Sequence, residues 1–364
     1  MIDQAALQEL LDFHAVQENA PVLSLYLHVD PRQRNTEQYK LALRHMLDSV
    51  SEQVDHRDRE RVERFVEIEY DRRSRGLACF SCAAEDFWQV YPLMVPVKDW
   101  VFAGHRPYLK PLGDVLDTFA RYGVVLVDQE GAHIFTFHLG TLQDVSGVVG
   151  EEIKRHKQGG WAASRYQRHE DAAAYRNLKE AAEMTAQVVR GGQVRHLILA
   201  GTDGNVAQFE SLLPKAVRQV VMGSFGADMS EGPAGIGEKS LKLIWEATAQ
   251  RKEELVDELI TAAAKEGPAT LGLADTLRAA YAGRAHHLIL EDSFAVPAYR
   301  CDHCGYVGVE DLDVCPSCGN DLRVLPDAAD SLVRWALAQD IDLTVVSDNA
   351  KLVDAGGVGA FLRY

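Results

Sequence analysis

Two groups of residues in this chain have the types and the spacing to do chemistry. Cys301, Cys304, Cys315 and Cys318 form C-x2-C-x10-C-x2-C, and each pair is followed by a glycine, Gly305 or Gly319. Two such knuckles separated by a hairpin's length suit one zinc ion held tetrahedrally by four thiolates, a closed shell with no position left for substrate. So short an insert cannot bury a core, so the metal is expected to be structural and to supply the roughly 10 to 16 kcal/mol that folds it. His303 stands aside, because four sulfurs already fill the shell. The second group is the segment KRHKQGGWAASRYQRH at 154–169. It carries Lys154, Arg155, Lys157, Arg165 and Arg168 and no acid, in a chain whose net charge is −16. Gly159 and Gly160 at its middle permit a close backbone approach to a ligand, and the basic side chains suit a phosphate backbone. A solvated loop has the same composition, and composition alone does not separate the two readings.

Other motifs invite a chemical reading and fail it. Cys79 and Cys82 lie on a strand, where residues three apart point to opposite faces, so they read as buried structural thiols. Gly191-Gly192-Gln193 falls between a helix and a strand, where glycine ends helices in the left-handed conformation. Gly232, Gly237, Lys239 and Ser240 approach a phosphate-binding loop, but Glu238 breaks the register and sets an acid where phosphate would sit. His286 and His287 alternate across a strand and cannot share a ligand.

The elements that must position these groups follow from length and periodicity. At 364 residues, 47% hydrophobic and 25% charged, the chain is globular and long enough for two or three domains. The expected layout mixes α/β and α+β in three domains. Residues 1–111 hold a strand at 22–29, a helical stretch at 37–69 and a strand pair. Residues 112–225 hold a meander of short strands, the basic loop, a helix at 170–190 and a strand at 195–200. Residues 226–364 form an α/β/α domain interrupted by the cysteine insert at 297–326. The start, MIDQAALQELLDFH, has neither the basic head nor the apolar centre of a secretory signal, and no apolar run approaches membrane-spanning length. A cytoplasmic protein without membrane contact is expected. The acidic balance argues against broad binding to nucleic acid and leaves that role to local basic patches.

The order of parts resembles the archaeal and eukaryotic class-1 peptide chain release factor and Pelota superfamily, in a divergent bacterial form. Two stretches carry the resemblance: the terminal GGVGAFLRY at 356–364, and GGWAASRYQRH at 159–169, which is similar to the glycine-glycine-glutamine loop of those factors. The insert, too, resembles the zinc ribbon of archaeal members. The resemblance implies a ribosome-associated factor that enters the A site, contacts ribosomal RNA and brings the loop to peptidyl-tRNA, with delivery by a translational GTPase left open. If catalytic, it would be a peptidyl-tRNA hydrolase: Gly159 and Gly160 shape the loop, and Gln167, preferred over Gln158, positions water between Arg165 and Arg168. Trp161 stands where the family has glutamine and would stack on an RNA base. The stop-codon-reading motifs of the first domain are missing, which implies rescue rather than decoding. A non-catalytic Pelota-like A-site binder and an RNA-binding adaptor are the alternatives.

Overall fold

A computed structural model of the chain describes residues 2–17, 20–119, 121–149, 163–192 and 194–363, with the side chains between 148 and 171 outside that description. The described chain divides into two compact units, residues 1–117 with 250–364, and residues 118–249.

The first sheet lies wholly within the N-terminal segment. Helix α1 (Gln4–Asp12) is capped by Asp3, whose carboxylate accepts the Ala6 N–H at 2.8 Å. Strand β1 (Val22–His28) follows, then α2 (Thr36–Ser49), which opens with a reciprocal capping box between Asn35 and Gln38. Helix α3 (His56–Arg64) runs on into a π turn at Phe65–Glu69, so the expected long helical stretch is two helices joined near Asp55. Strands β2 (Gly76–Cys82), β3 (Phe87–Leu93) and β4 (Trp100–Gly104) complete an antiparallel sheet of order β3-β2-β1-β4. Strand β1 is central, and its two faces do different work. Leu23, Leu25 and Leu27 pack under Tyr39, Leu43 and Leu47 of α2 and Val62 of α3. Ser24 and Tyr26, on the opposite face, bond to Tyr108, through Oγ accepting its N–H at 2.9 Å and the phenol donating to its carbonyl at 2.7 Å.

A helix the sequence reading did not anticipate comes next, α4 (Lys110–Phe119). Pro111 is tolerated in its first turn because the N–H it lacks would have no partner within the helix. The meander then appears as expected: β5 (Arg121–Val127), β6 (Gly131–His138) and β7 (Thr141–Val149). After α5 (Ala163–Arg190) the chain gives β8 (His196–Gly201), α6 (Asp203–Leu212), α7 (Lys215–Arg218) and β9 (Val221–Phe225). The sheet order is β7-β6-β5-β8-β9, with β5, β8 and β9 parallel. Leu178, Ala181, Ala182 and Ala186 of α5 pack on Val125, Ile134, Leu197 and Leu199; small alanines let helix and sheet approach closely.

Helix α8 (Pro233–Ala264) takes in Gly237, Lys239 and Ser240, so most of the glycine-rich segment is helical. Beyond it lie β10 (Ala269–Leu271), α9 (Leu273–Tyr281) and β11 (Ala285–Glu291). The cysteine segment contributes β12 (Ala298–Arg300), β13 (Val307–Gly308) and β14 (Arg323–Leu325), which pair only with one another, in the order β13-β12-β14. Helix α10 (Ala328–Ala338), β15 (Asp342–Val346), α11 (Ala350–Asp354) and β16 (Val358–Leu362) finish the chain. The last large sheet has the order β10-β16-β11-β15, with β11 and β15 parallel. Among the described residues no helix is long and apolar enough to cross a membrane.

Candidate functional site

The cysteine segment folds as two matching knuckles. After each C-x-x-C the chain reverses through a left-handed glycine, Gly305 at φ 79° and Gly319 at φ 74°. The N–H of Gly305 returns to the Cys301 carbonyl at 2.8 Å, and that of Gly319 to the Cys315 carbonyl at 2.9 Å. Cys301 donates its own N–H to the Tyr306 carbonyl, and Cys315 to that of Asn320, each at 2.8 Å. These turns bring all four Sγ atoms within 4.8 Å of one another. Cys301 and Cys318 are 3.4 Å apart, and Cys304 and Cys315 are 3.6 Å apart. Four sulfurs at about 2.3 Å from one ion would be separated by about 3.8 Å, so the cluster is close to the right size for a tetrahedral metal. Neutral thiols gain little from such crowding, whereas a cation binds thiolates. Within the crowded set the Cys318 thiol is drawn down, first by the Asn320 side-chain amide, whose Nδ2 lies 3.3 Å from Sγ, while the Cys304 thiol is raised in spite of its bond from the Tyr306 backbone. The four cysteines that the sequence singled out are thus brought together and could hold a metal ion.

The basic group fares differently. Lys154, Arg155, Lys157, Gly159, Gly160 and Trp161 lie outside the described residues, as does the start of their segment after Val149. Arg165, Gln167 and Arg168 fall in the first turns of α5, with their side chains undescribed. The described ends of the segment are therefore strand β7, whose Val149 pairs with Gly131, and helix α5, whose described buried face begins at Ala174.

The motifs set aside on sequence grounds have structural explanations. Cys79 and Cys82 are fully buried, and burial pushes the Cys79 thiol up to about 12. Gly192 adopts φ 68° directly after α5 and its N–H returns to the Val189 carbonyl at 3.1 Å, so it ends a helix; Gln193 lies outside the described residues. Lys239 donates to the Glu231 carboxylate at 2.8 Å and to the Gly226 carbonyl at 3.2 Å, which commits its charge within the segment. His286 is exposed, while His287 is half-buried with Nε2 2.9 Å from the Thr344 hydroxyl.

The terminal GGVGAFLRY is a packing motif. Gly356 and Gly357 take φ 101° and 74°, and a Cβ on Gly357 would come within 2.3 Å of the Phe294 ring. On β16, a Cβ at Gly359 would lie 2.6 Å from the Thr270 carbonyl of the neighbouring strand. The glycines turn the chain and then let β16 slot between β10 and β11, with Val358 and Ala360 fully buried.

Sequence reasoning missed a polar junction that ties the N-terminal segment to α10. The Tyr108 phenol donates to Asp327 at 2.6 Å, and Asp330 accepts the N–H groups of Leu109 and Lys110 at 2.6 and 3.2 Å. A carboxylate from α10 thereby caps α4, satisfying N–H groups that helix geometry leaves open. Lys110 reaches the Phe294 carbonyl at 2.6 Å, and Arg334 donates to the carbonyls of Leu10 and Leu11 at the end of α1 and to that of Pro107. Burial raises the Asp330 carboxyl to about 6 and lowers the Lys110 ammonium. The partners are separated by 184 to 324 residues in sequence, so no local spacing announces them.

A mixed α/β chain with a cluster of four cysteines on a small three-stranded sheet of its own is the class these features define. Residues 107–241 match the family described as bacterial archaeo-eukaryotic release factor family 10. The chain is similar to peptide chain release factor subunit 1 of Methanocaldococcus jannaschii, 25% identical over 307 residues that span 74% of this chain and 72% of that one. It is also similar to eukaryotic peptide chain release factor subunit 1 of Dictyostelium discoideum, 26% identical over 200 residues, 52% of this chain and 45% of the relative. Among solved structures, Archaeoglobus fulgidus Pelota aligns over 79% of each chain at 14% identity, with a TM-score of 0.33. The chain is thus similar to the release factors of archaea and eukaryotes, and its residues 107–241 match a bacterial family of that kind.

Proposed function

We propose that this protein is a ribosome-associated factor of translation termination or rescue that hydrolyses the ester between a nascent peptide and its tRNA without reading a stop codon. The observation that carries the reading is the family match over 107–241, which spans the whole basic segment 154–169. In this reading Gly159 and Gly160 let the loop enter a narrow RNA cavity, a backbone N–H faces the oxyanion that forms as water attacks the ester, and Gln167 orients that water. Lys154, Arg155, Lys157, Arg165 and Arg168 hold RNA phosphates, and Trp161 stacks on an unpaired base. The partners are the ribosomal A site and peptidyl-tRNA, with a translational GTPase as a candidate for delivery, and the compartment is the cytoplasm. Zinc is the proposed occupant of the four cysteines, in a structural role. The proposed division of labour follows the three sequence segments 1–111, 112–225 and 226–364, since each large sheet closes within one of them.

The test is peptide release from stalled ribosomes carrying a labelled nascent chain. Wild type should release peptide with no stop codon in the A site, and an absence of release would overturn the hydrolytic reading. A second reading is favoured by Trp161, which occupies the place of the family's glutamine: a Pelota-like A-site binder that does no hydrolysis. Replacing Gly159 and Gly160 by alanine separates the two. Release collapses under the first reading, while cosedimentation with ribosomes persists under both.

A further inference from the structure

Helix α5 buries one face from Ala174 to Ala186, and alanine and leucine fill that face except at Asn177 and Thr185. A buried polar side chain is costly unless it finds a partner, and these two find theirs in different places. Thr185 donates to the Ala181 carbonyl of its own helix at 2.8 Å. Asn177, 3% exposed, reaches off the helix, its Nδ2 donating to the Gln129 carbonyl at 3.3 Å.

Gln129 and Glu130 are the tip of the turn that joins β5 to β6. Asp128 shapes the turn: its Oδ1 accepts the N–H groups of Glu130 and Gly131 at 2.8 and 2.9 Å, and its own N–H donates to the Gly131 carbonyl at 3.1 Å. Gly131 in turn pairs with Val149, the last residue of β7, from which the chain runs on to the basic segment 154–169. One turn therefore holds the strand that leads toward that segment and, through Asn177, the helix that carries the chain away from it.

We infer that Asn177 is a positioning residue for peptide release: by fastening α5 to the turn at 128–131, it fixes the direction in which the helix carries Arg165, Gln167 and Arg168. The inference rests on the hydrolytic reading and deepens it. Asn177 touches no reacting atom and acts through the helix axis. Gln167 precedes it by about 15 Å along that axis, at about 1.5 Å per residue, so a tilt of about 10° at Asn177 moves Gln167 by about 2.5 Å. A displacement of about 1 Å at a group that orients a reactant can cost about a hundredfold in rate. A face of alanines has few interlocking side chains to resist such a tilt, whereas a hydrogen bond has a preferred direction.

The experiment uses the full-length, metal-loaded protein. Asn177→Leu keeps the side chain's size and suits the apolar face while removing the bond to Gln129. In peptide release from stalled ribosomes, kcat should fall by about tenfold or more while KM stays within about twofold of wild type, because the basic residues that hold RNA are untouched. Asp128→Ala, which loosens the turn from the other side, should act alike and carries the comparison should N177L fail to fold. Thr185→Val alters the same face without touching the turn and should leave kcat unchanged. An unchanged kcat in N177L, or an equal fall in T185V, overturns the inference. A second measurement needs no ribosome: spin labels at Glu130→Cys and Gln167→Cys should give a narrow distance distribution that N177L broadens or shifts. Identical distributions overturn the inference whether or not the protein releases peptide. Distributions that differ, in a protein whose wild type releases none, would overturn the hydrolytic reading and uphold the anchor.

Discussion

The cysteine ribbon and the polar junction at Tyr108 are both held by a few side chains, but they are assembled at opposite ranges. The ribbon's ligands lie between Cys301 and Cys318, and its turns are set by glycines adjoining the knuckles. The junction joins Tyr108 to Asp327 and Leu10 to Arg334, and none of those contacts exists until two distant segments have docked. A short-range site can be stabilised by a metal alone. A long-range one depends on the cores around it, and its polar groups are satisfied only by the finished fold.

The largest expected effect breaks the ribbon while leaving the junction intact. Under the proposed zinc occupancy of one per chain, Cys315→Ser should lower bound zinc, measured by elemental analysis, to under about a tenth of an equivalent, because the roughly 10 to 16 kcal/mol of a structural zinc site depends on all four ligands. Hydrogen exchange should then become fast in β12 to β14 and stay slow in β1. Equal loss of protection in β1 would show that the two regions are not separable. A smaller effect is expected from the junction side. Tyr108→Phe leaves Asp327 without its phenolic donor, and urea denaturation should show a loss of about 1.5 to 3 kcal/mol with zinc content unchanged.

The smallest effect is a slope of stability with pH. The Asp330 carboxyl sits at about 6 in the folded protein against an ordinary 3.8, because burial disfavours its charge. The folded state therefore binds more protons than the unfolded state between those values. Stability contributed by this group falls as pH rises from about 4 to 6 and is flat above. Asp330→Asn should flatten that part of the profile in chemical denaturation at a series of pH values. An unchanged slope would assign it to other carboxylates.

How much was legible follows the same division of range. The apolar, β-branched run at 22–29 announced a buried strand, and the meander of short strands was readable too, but that the first strand is central with two different faces was not. Helix α4 was not, because Lys110 and Pro111 follow a proline-rich turn and the cap comes from Asp330, 220 residues away. The glycines of the terminal motif were visible as a resemblance, but their reason was not. Only the packed sheet shows that Phe294 and the Thr270 carbonyl leave no room for a Cβ.

By itself, the sequence determined the four thiols and their turns, the strand and helix periods, and the concentration of basic residues at 154–169 in an otherwise acidic chain. Those are properties of residues within a few turns of one another, where spacing and backbone preference are enough. The tertiary structure alone decided which carboxylate caps α4 and which carbonyls hold Arg334. Such choices depend on burial, which removes water from a charge only after segments hundreds of residues apart have closed around it.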